Sequence, residues 1–212
     1  MTYMEDNLNL RLKYVLNIMQ KRIVRNTTYF GIHCSKSPMD FWTYREIIVE
    51  REPDVIVEIG CGQGGSSLAL AHICDLMGHG IVYSIDSSLK RVHEMALLHP
   101  RIFFLEGDAC AEPAHLVSNM IQGKRVMVIE DSSHTYENTL NVLNTYSPMV
   151  SVGDYFIVED SNSRHGVSAG PEPGPYEAIE TFIQEHPEYE IDRTKENFFI
   201  TWNPKGYLRR VK

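Results

Sequence analysis

Apolar residues along this chain fall into two alternating rhythms: short runs rich in valine and isoleucine, and longer stretches in which they recur at helical spacing. The short runs predict strands over 54–59, 81–86, 101–106, 125–130 and 154–159, and the stretches between them predict helices over 65–77, 88–97, 112–121 and 136–147. Such β-α alternation builds a parallel sheet with helices on both faces. Upstream, residues 6–24 place Leu8, Leu10, Leu12, Val15, Leu16, Met19 and Ile23 at mostly helical spacing, and 38–50 form a second helix with Phe41, Trp42, Tyr44, Ile47 and Ile48. These two make a helical extension over 1–50, and 51–212 form the α/β domain. After residue 160 the rhythm breaks into a Gly-, Pro- and Ser-rich loop over 160–175, of the kind that is functional or mobile in a compact domain. A helix over 176–185 and strands near 188–193 and 197–203 follow, the last two joined by a link that permits only antiparallel pairing.

Within that pattern the run from Val55 to Ser67 reads as a buried strand ending in Glu58, then a turn with Gly60, Gly62, Gly64 and Gly65, then a helix opening near Ser66. Glycine lets the backbone turn sharply and approach a ligand, and a helix N-terminus offers free N–H groups to an anion. Gly60, Gly62 and Gly65 also fit the dinucleotide fingerprint, with Asp86 at the distance of a ribose contact. Glu58 immediately before the glycines suits a ligand ammonium, and Ser66 a ligand carboxylate, which favours S-adenosylmethionine over a nicotinamide.

Composition narrows the field. With 20 Lys+Arg against 28 Asp+Glu the net charge is -8, and basic residues cluster only at Lys21, Arg22 and Arg25 and in the last four positions, so binding to nucleic acid through a basic face is disfavoured. No apolar stretch is long enough to span a bilayer, and Met1 to Asp6 lack the features of a signal peptide, so a cytoplasmic protein is expected. Cys34, Cys61, Cys74 and Cys110 show neither zinc nor disulfide spacing and read as reduced thiols, with Cys61 a small filler in the glycine turn. The leucine stripe of 6–24 needs a partner surface and predicts a homo-oligomer.

Candidate chemistry lies at strand ends. The strand 125–130 runs into Asp131 and His134, and 154–159 ends in Glu159 followed by Asp160. Ligands of open α/β sheets bind at the carboxyl edge, where strand order reverses. Three carboxylates converging there repel one another unless a cation intervenes, and all-oxygen ligation by Asp131, Glu159 and Asp160 selects a hard ion such as Mg2+. An alternative leaves Asp131 as a helix cap and the Glu159–Asp160 pair as the start of a solvated loop. His134, three positions past Asp131, is placed to act as a general base, and His165 in the loop is a weaker candidate.

The segments Lys36–Trp42, Glu58–Ser67, Asp131–His134, Val158–Asp160, Gly174–Ile179, Phe199–Pro204 and Gly206–Arg210 resemble the cephalosporin hydroxylase family, across nearly the whole chain from about residue 30. That resemblance implies a class I methyltransferase fold: a seven-stranded sheet in the order 3-2-1-4-5-7-6 with the last strand antiparallel. It also implies S-adenosylmethionine- and Mg2+-dependent O-methylation of a small-molecule hydroxyl, on a sugar or natural-product diol. By position it implies Asp131, Glu159 and Asp160 as metal ligands and His134 as base. Glu58 and Ser66 fall at the methionine end of the cofactor, Asp86 at the ribose, and Asp108 with Ala109 at the adenine. Gly62 stands where catechol methyltransferases carry a larger residue. Two rivals stay open: a non-catalytic S-adenosylmethionine-binding partner of an antibiotic-pathway hydroxylase, which would not need the carboxylates and His134, and a nicotinamide oxidoreductase, which would need a substrate domain.

Overall fold

The computed structural model describes residues 3–163, 165–167 and 173–212. Residues 164 and 168–172 of the expected 160–175 loop lie outside the described residues.

The chain opens with α1 (Leu12–Asn26), a small hairpin of β1 (Thr28–Tyr29) and β2 (Ile32–His33), and α2 (Pro38–Arg51). The first helix is shorter than its apolar pattern suggests, because the residues before Leu12 form turns, and Ile23 is its one buried residue. Ser37 caps α2 by accepting from the Asp40 amide, and Pro38 fits the first turn, where no amide partner is needed. The α/β part then runs β3 (Val55–Ile59), α3 (Gly65–Met77), β4 (Ile81–Asp86), α4 (Glu94–Leu97), β5 (Ile102–Glu106), α5 (Glu112–Met120), β6 (Val126–Glu130), α6 (Tyr136–Tyr146) and β7 (Tyr155–Val158). It closes with α7 (Pro175–Glu185), β8 (Tyr189–Ile191) and β9 (Tyr207–Arg210).

Seven strands form one sheet in the order β5-β4-β3-β6-β7-β9-β8, which is the expected order counted from β3. The pairs among β3 to β7 are parallel, and β9 runs antiparallel to both its neighbours. Every residue of β3 and β6 is buried, as befits strands covered on both faces. Ile56, Met127 and Ile157 pack on one face with Ile47, Ile48, Leu68 and Ala71, while Val57, Val128 and Phe156 pack on the other with Val117, Leu143 and Phe182.

Two further expected elements differ. The segment 88–97 is not a continuous helix but a short 3-10 turn over Leu89–Arg91 followed by the single turn of α4. Its break is fixed by the glycine turn: the His93 amide donates to the Gln63 carbonyl at 3.0 Å, and His93 Nδ1 accepts from the Met95 amide. The expected last strand over 197–203 is irregular, and the strand that pairs with β7 and β8 is 207–210. Here tertiary capture overrides the β-propensity of the Phe199–Trp202 run. The buried Asp40 carboxylate accepts from Thr201 Oγ1, the Trp202 amide and Tyr207 Oη, and Phe199 turns through a positive φ of 64°.

Strand register prepares the site. Ile59 pairs with Glu130, and Glu130 with Val158, so the residues that follow, Gly60, Asp131 and Glu159, leave the sheet at one level. That level is the carboxyl edge between β3 and β6, where the strand order reverses.

Candidate active site

A cavity of about 810 Å³ opens at this edge. Its walls are the turn Gly60–Gln63 with Ser66, the ends of β4 and β5 at Asp86 and Gly107–Ala109, the β6 exit Asp131–His134 with Asn138, Asp160 after β7, and His33–Lys36 from the N-terminal segment. Of the residues expected to hold a cofactor, Gly60, Gly62, Ser66, Asp86, Asp108 and Ala109 line it. Glu58 and Gly65 do not.

The glycine turn is shaped by two kinds of restriction. Gly60, at φ 89°, lies so close to β6 that a Cβ would meet the Asp131 carbonyl oxygen at 2.1 Å. Gly62, at φ 56°, has nothing within 4 Å of a would-be Cβ, so its bare backbone faces open cavity. Gly65 serves packing: a Cβ there would strike the His33 carbonyl oxygen at 2.7 Å. Asp86 braces the turn, its Oδ2 accepting from the amides of Cys61 and Gly62 at 3.1 and 2.9 Å. Asp108 Oδ1 accepts from the Cys110 amide, and the Ala109 carbonyl from Tyr146 Oη. Burial pushes the Cys61 thiol up to about 12, so it stays protonated at neutral pH and fills space.

Glu58 lies beneath the turn. Its Oε2 accepts from Ser67 Oγ at 2.5 Å and Ser84 Oγ at 2.9 Å, while Oε1 is buried with no hydrogen-bond partner among the described residues. An orphaned acceptor oxygen on a buried carboxylate fits the proximity of a ligand cation or an ordered water.

At the other end of the cavity Asp131, His134 and Asp160 converge, with one ligand atom from each lying within 4.8 Å of the others. His134 Nε2 is 3.6 Å from Asp131 Oδ1 and 3.3 Å from Asp160 Oδ2. Both His134 and Asp160 are held at positive φ, 52° and 54°, a cost that the surrounding structure imposes where the two strands end. Asp160 is fixed by its amide, which donates to Asn203 Oδ1 at 3.1 Å. Burial, with the Asp131 and Asp40 charges, pushes the Asp160 carboxyl up to about 6 against the pull of His134 and Lys36. This is a site short of positive charge, and its oxygen-rich donor set fits a hard divalent cation.

Glu159, expected as a third ligand, is not part of that cluster. A buried carboxylate needs a counter-charge, and Glu159 Oε1 finds one in Lys36 Nζ at 2.5 Å, which is also 2.5 Å from Asp131 Oδ2. Burial opposes the charge on Lys36, but Asp131, Glu159 and Glu58 together hold its pKa well above the usual lysine value. Lys36 was not singled out as a site residue by sequence reasoning. Its partners lie 95 and 123 positions away, and the one signal was its place at the head of the Lys36–Trp42 segment. His165 is set apart, bonded to Glu177 and stacked on Tyr176.

Comparison with known proteins adds to this geometry. Residues 21–211 match the family described as Rhamnosyl O-methyltransferase/CmcI. The chain is 39% identical over 192 residues to a rhamnosyl O-methyltransferase of Mycobacterium tuberculosis (strain H37Rv), covering 87% of this chain and 78% of that protein. It is 38% identical to a rhamnosyl O-methyltransferase of Mycobacterium leprae, covering 87% and 83%. Among solved structures, CmcI described with Mg-SAM superposes with a TM-score of 0.68 at 23% identity, over 88% of this chain and 77% of that one. The MycE methyltransferase of the mycinamycin pathway, with Mg and SAH, superposes at 0.52 and 17%, over 93% and 54%.

Proposed function

The chain belongs to the rhamnosyl O-methyltransferase/CmcI family and is an S-adenosylmethionine-dependent O-methyltransferase, and from that premise we propose that it methylates a hydroxyl of a sugar or sugar-bearing natural product with the help of a divalent cation. The observation that carries the proposal is the convergence of Asp131, Asp160 and His134 in the wall of a cavity whose other walls include the glycine turn, Asp86 and Asp108.

In this reading Ser66 meets the carboxylate of the methionine end, the buried Glu58 carboxylate beneath the turn attracts its ammonium from below, and Asp86 meets the ribose and the Asp108–Ala109 edge the adenine. Asp131 and Asp160 would hold Mg2+, with Glu159 as the third carboxylate. When bound, the cofactor supplies an electrophilic methyl group and the ion supplies Lewis acidity that lowers the pKa of a hydroxyl beside it. His134 Nε2 takes the hydroxyl proton. The carboxylates of Asp131 and Asp160, 3.6 and 3.3 Å away, stabilise the imidazolium so formed and keep its ring facing the cavity. The cavity walls orient both partners and limit water, which is most of what a displacement between bound reactants requires. A vicinal diol presents two oxygens to one ion, which is why a sugar is the favoured acceptor. The rhamnosyl relatives support that class.

Neither rival accounts for the site: a non-catalytic binding partner leaves the strained His134–Asp160 pair without a use, and a nicotinamide enzyme has no partner for the Glu58 carboxylate. No helix among the described residues is long and apolar enough to cross a membrane, and the unpaired thiols support a cytoplasmic site of action. Titration calorimetry tests the cofactor: S-adenosylhomocysteine is expected to bind in the micromolar range, about -8 kcal/mol, and NAD not at all. NAD binding without a response to the sulfur ligand would overturn the assignment.

A further inference from the structure

Lys36 places a positive charge where the proposed cation needs carboxylates. Its Nζ uses Asp131 Oδ2 and Glu159 Oε1, both at 2.5 Å, and its side chain is only 8% exposed. An ammonium is a compact charge with three donors, and two of them are spent on acids that leave adjacent strands. These are two of the three carboxylates that a divalent ion at this corner would take.

The backbone around Lys36 is fixed on both sides. The Cys34 amide donates to the Thr27 carbonyl at 3.0 Å, and the Cys34 carbonyl accepts from Thr27 Oγ1. Ser37 caps α2, and Asp40 one turn on is tied to Trp202 and Tyr207. Between these anchors Lys36 carries its ammonium on a flexible four-carbon stem. Lys36 also lines the main cavity, so a head group released from the carboxylates has open space beside it.

We infer that Lys36 is a tethered competitor of the divalent cation: its ammonium neutralises Asp131 and Glu159 while the ion is absent and withdraws into the cavity when the ion loads. This rests on the reading that the corner binds a divalent cation. The physical need is symmetrical. Buried acids without a counter-charge are costly, so the empty site needs Lys36, and two cations on the same oxygens repel, so the loaded site must release it.

The full chain tests this with two measurements: Mg2+ titration calorimetry on wild type and Lys36→Met, and acetic anhydride labelling of the wild-type lysines read by mass spectrometry with and without Mg2+. If the ammonium holds the site about nine-tenths of the time, its removal should tighten apparent Mg2+ affinity roughly 10-fold. Labelling of Lys36, normalised to the exposed Lys124, should rise on adding Mg2+. Unchanged or weaker Mg2+ binding in the variant, or labelling of Lys36 that ignores Mg2+, overturns the inference. Should Lys36→Met not fold, Lys36→Gln replaces it, and the wild-type labelling decides by itself. Wild type that binds Mg2+ with an indifferent Lys36→Met sinks the competitor alone. Mg2+ silence in both proteins sinks the cation reading with it.

Discussion

Glu130 offers a quantitative check on how the sheet edge is built. It ends β6 directly before Asp131, is 2% exposed, and accepts through Oε1 from Ser132 Oγ at 2.6 Å and Asn138 Nδ2 at 3.3 Å, while Oε2 has no hydrogen-bond partner among the described residues. Burial, helped by the Asp131 charge, pushes its carboxyl from 4.5 up to about 8 against the Ser132 bond. The folded state therefore holds a proton that the unfolded chain releases. Below pH 4.5 both states are protonated and the group costs nothing through ionisation. Between 4.5 and 8 stability falls as pH rises, and above 8 the loss levels off at about 5 kcal/mol, taking 1.36 kcal/mol per pKa unit. Glu130→Gln removes this titration but keeps the shape and the carbonyl acceptor. The unpaired amide that replaces Oε2 adds an offset that does not depend on pH, so the informative quantity is the change in the difference. Urea melts of wild type and variant at pH 5 and pH 7 should show the variant gaining about 2.5 kcal/mol relative to wild type over that interval. Parallel stability curves would refute the claim that Glu130 is neutral in the folded protein.

Other consequences follow from the same geometry. The double change Glu159→Gln, Asp160→Asn should abolish methyl transfer and leave S-adenosylhomocysteine binding nearly intact, because Ser66, Asp86 and Asp108 stand on other elements; loss of cofactor binding in calorimetry would contradict it. His134→Ala should retain Mg2+ binding and lose about 100- to 10,000-fold in turnover, the usual contribution of a positioned base; a smaller loss in steady-state kinetics would remove His134 from that role. The exposed Leu8, Leu12 and Tyr14, on and just before a helix with one buried residue, should bring copies of the chain together; light scattering at tens of micromolar that returns the monomer mass would refute self-association.

Much of this was legible in the sequence because it is local or periodic. The β-branched run ending at Ile59, the glycines after it and the acids after β6 and β7 each announce themselves within a few residues, and the parallel direction of β3 to β7 follows from β-α alternation, whereas the strand order was implied by the family resemblance. What escaped depends on long-range capture. The run Phe199–Trp202 looks like a strand, but Asp40, about 160 positions away, takes its hydrogen bonds, and the pairing strand moves to Tyr207–Arg210. Lys36 and Glu159 are likewise an ordinary lysine and an expected ligand until the fold sets them 2.5 Å apart. The glycine pattern did not reveal that Gly65 answers to the His33 carbonyl and Gly62 to open space, since both read as members of one motif.

The central claim, cation-assisted methyl transfer to a sugar hydroxyl, is tested most directly by incubating the protein with methyl-labelled S-adenosylmethionine and rhamnosyl-bearing acceptors, first after EDTA treatment and then with Mg2+ restored. The account predicts label on an acceptor oxygen, none after chelation, and recovery on adding Mg2+. Transfer that continues undiminished through chelation, or label that appears on no sugar hydroxyl, would contradict it.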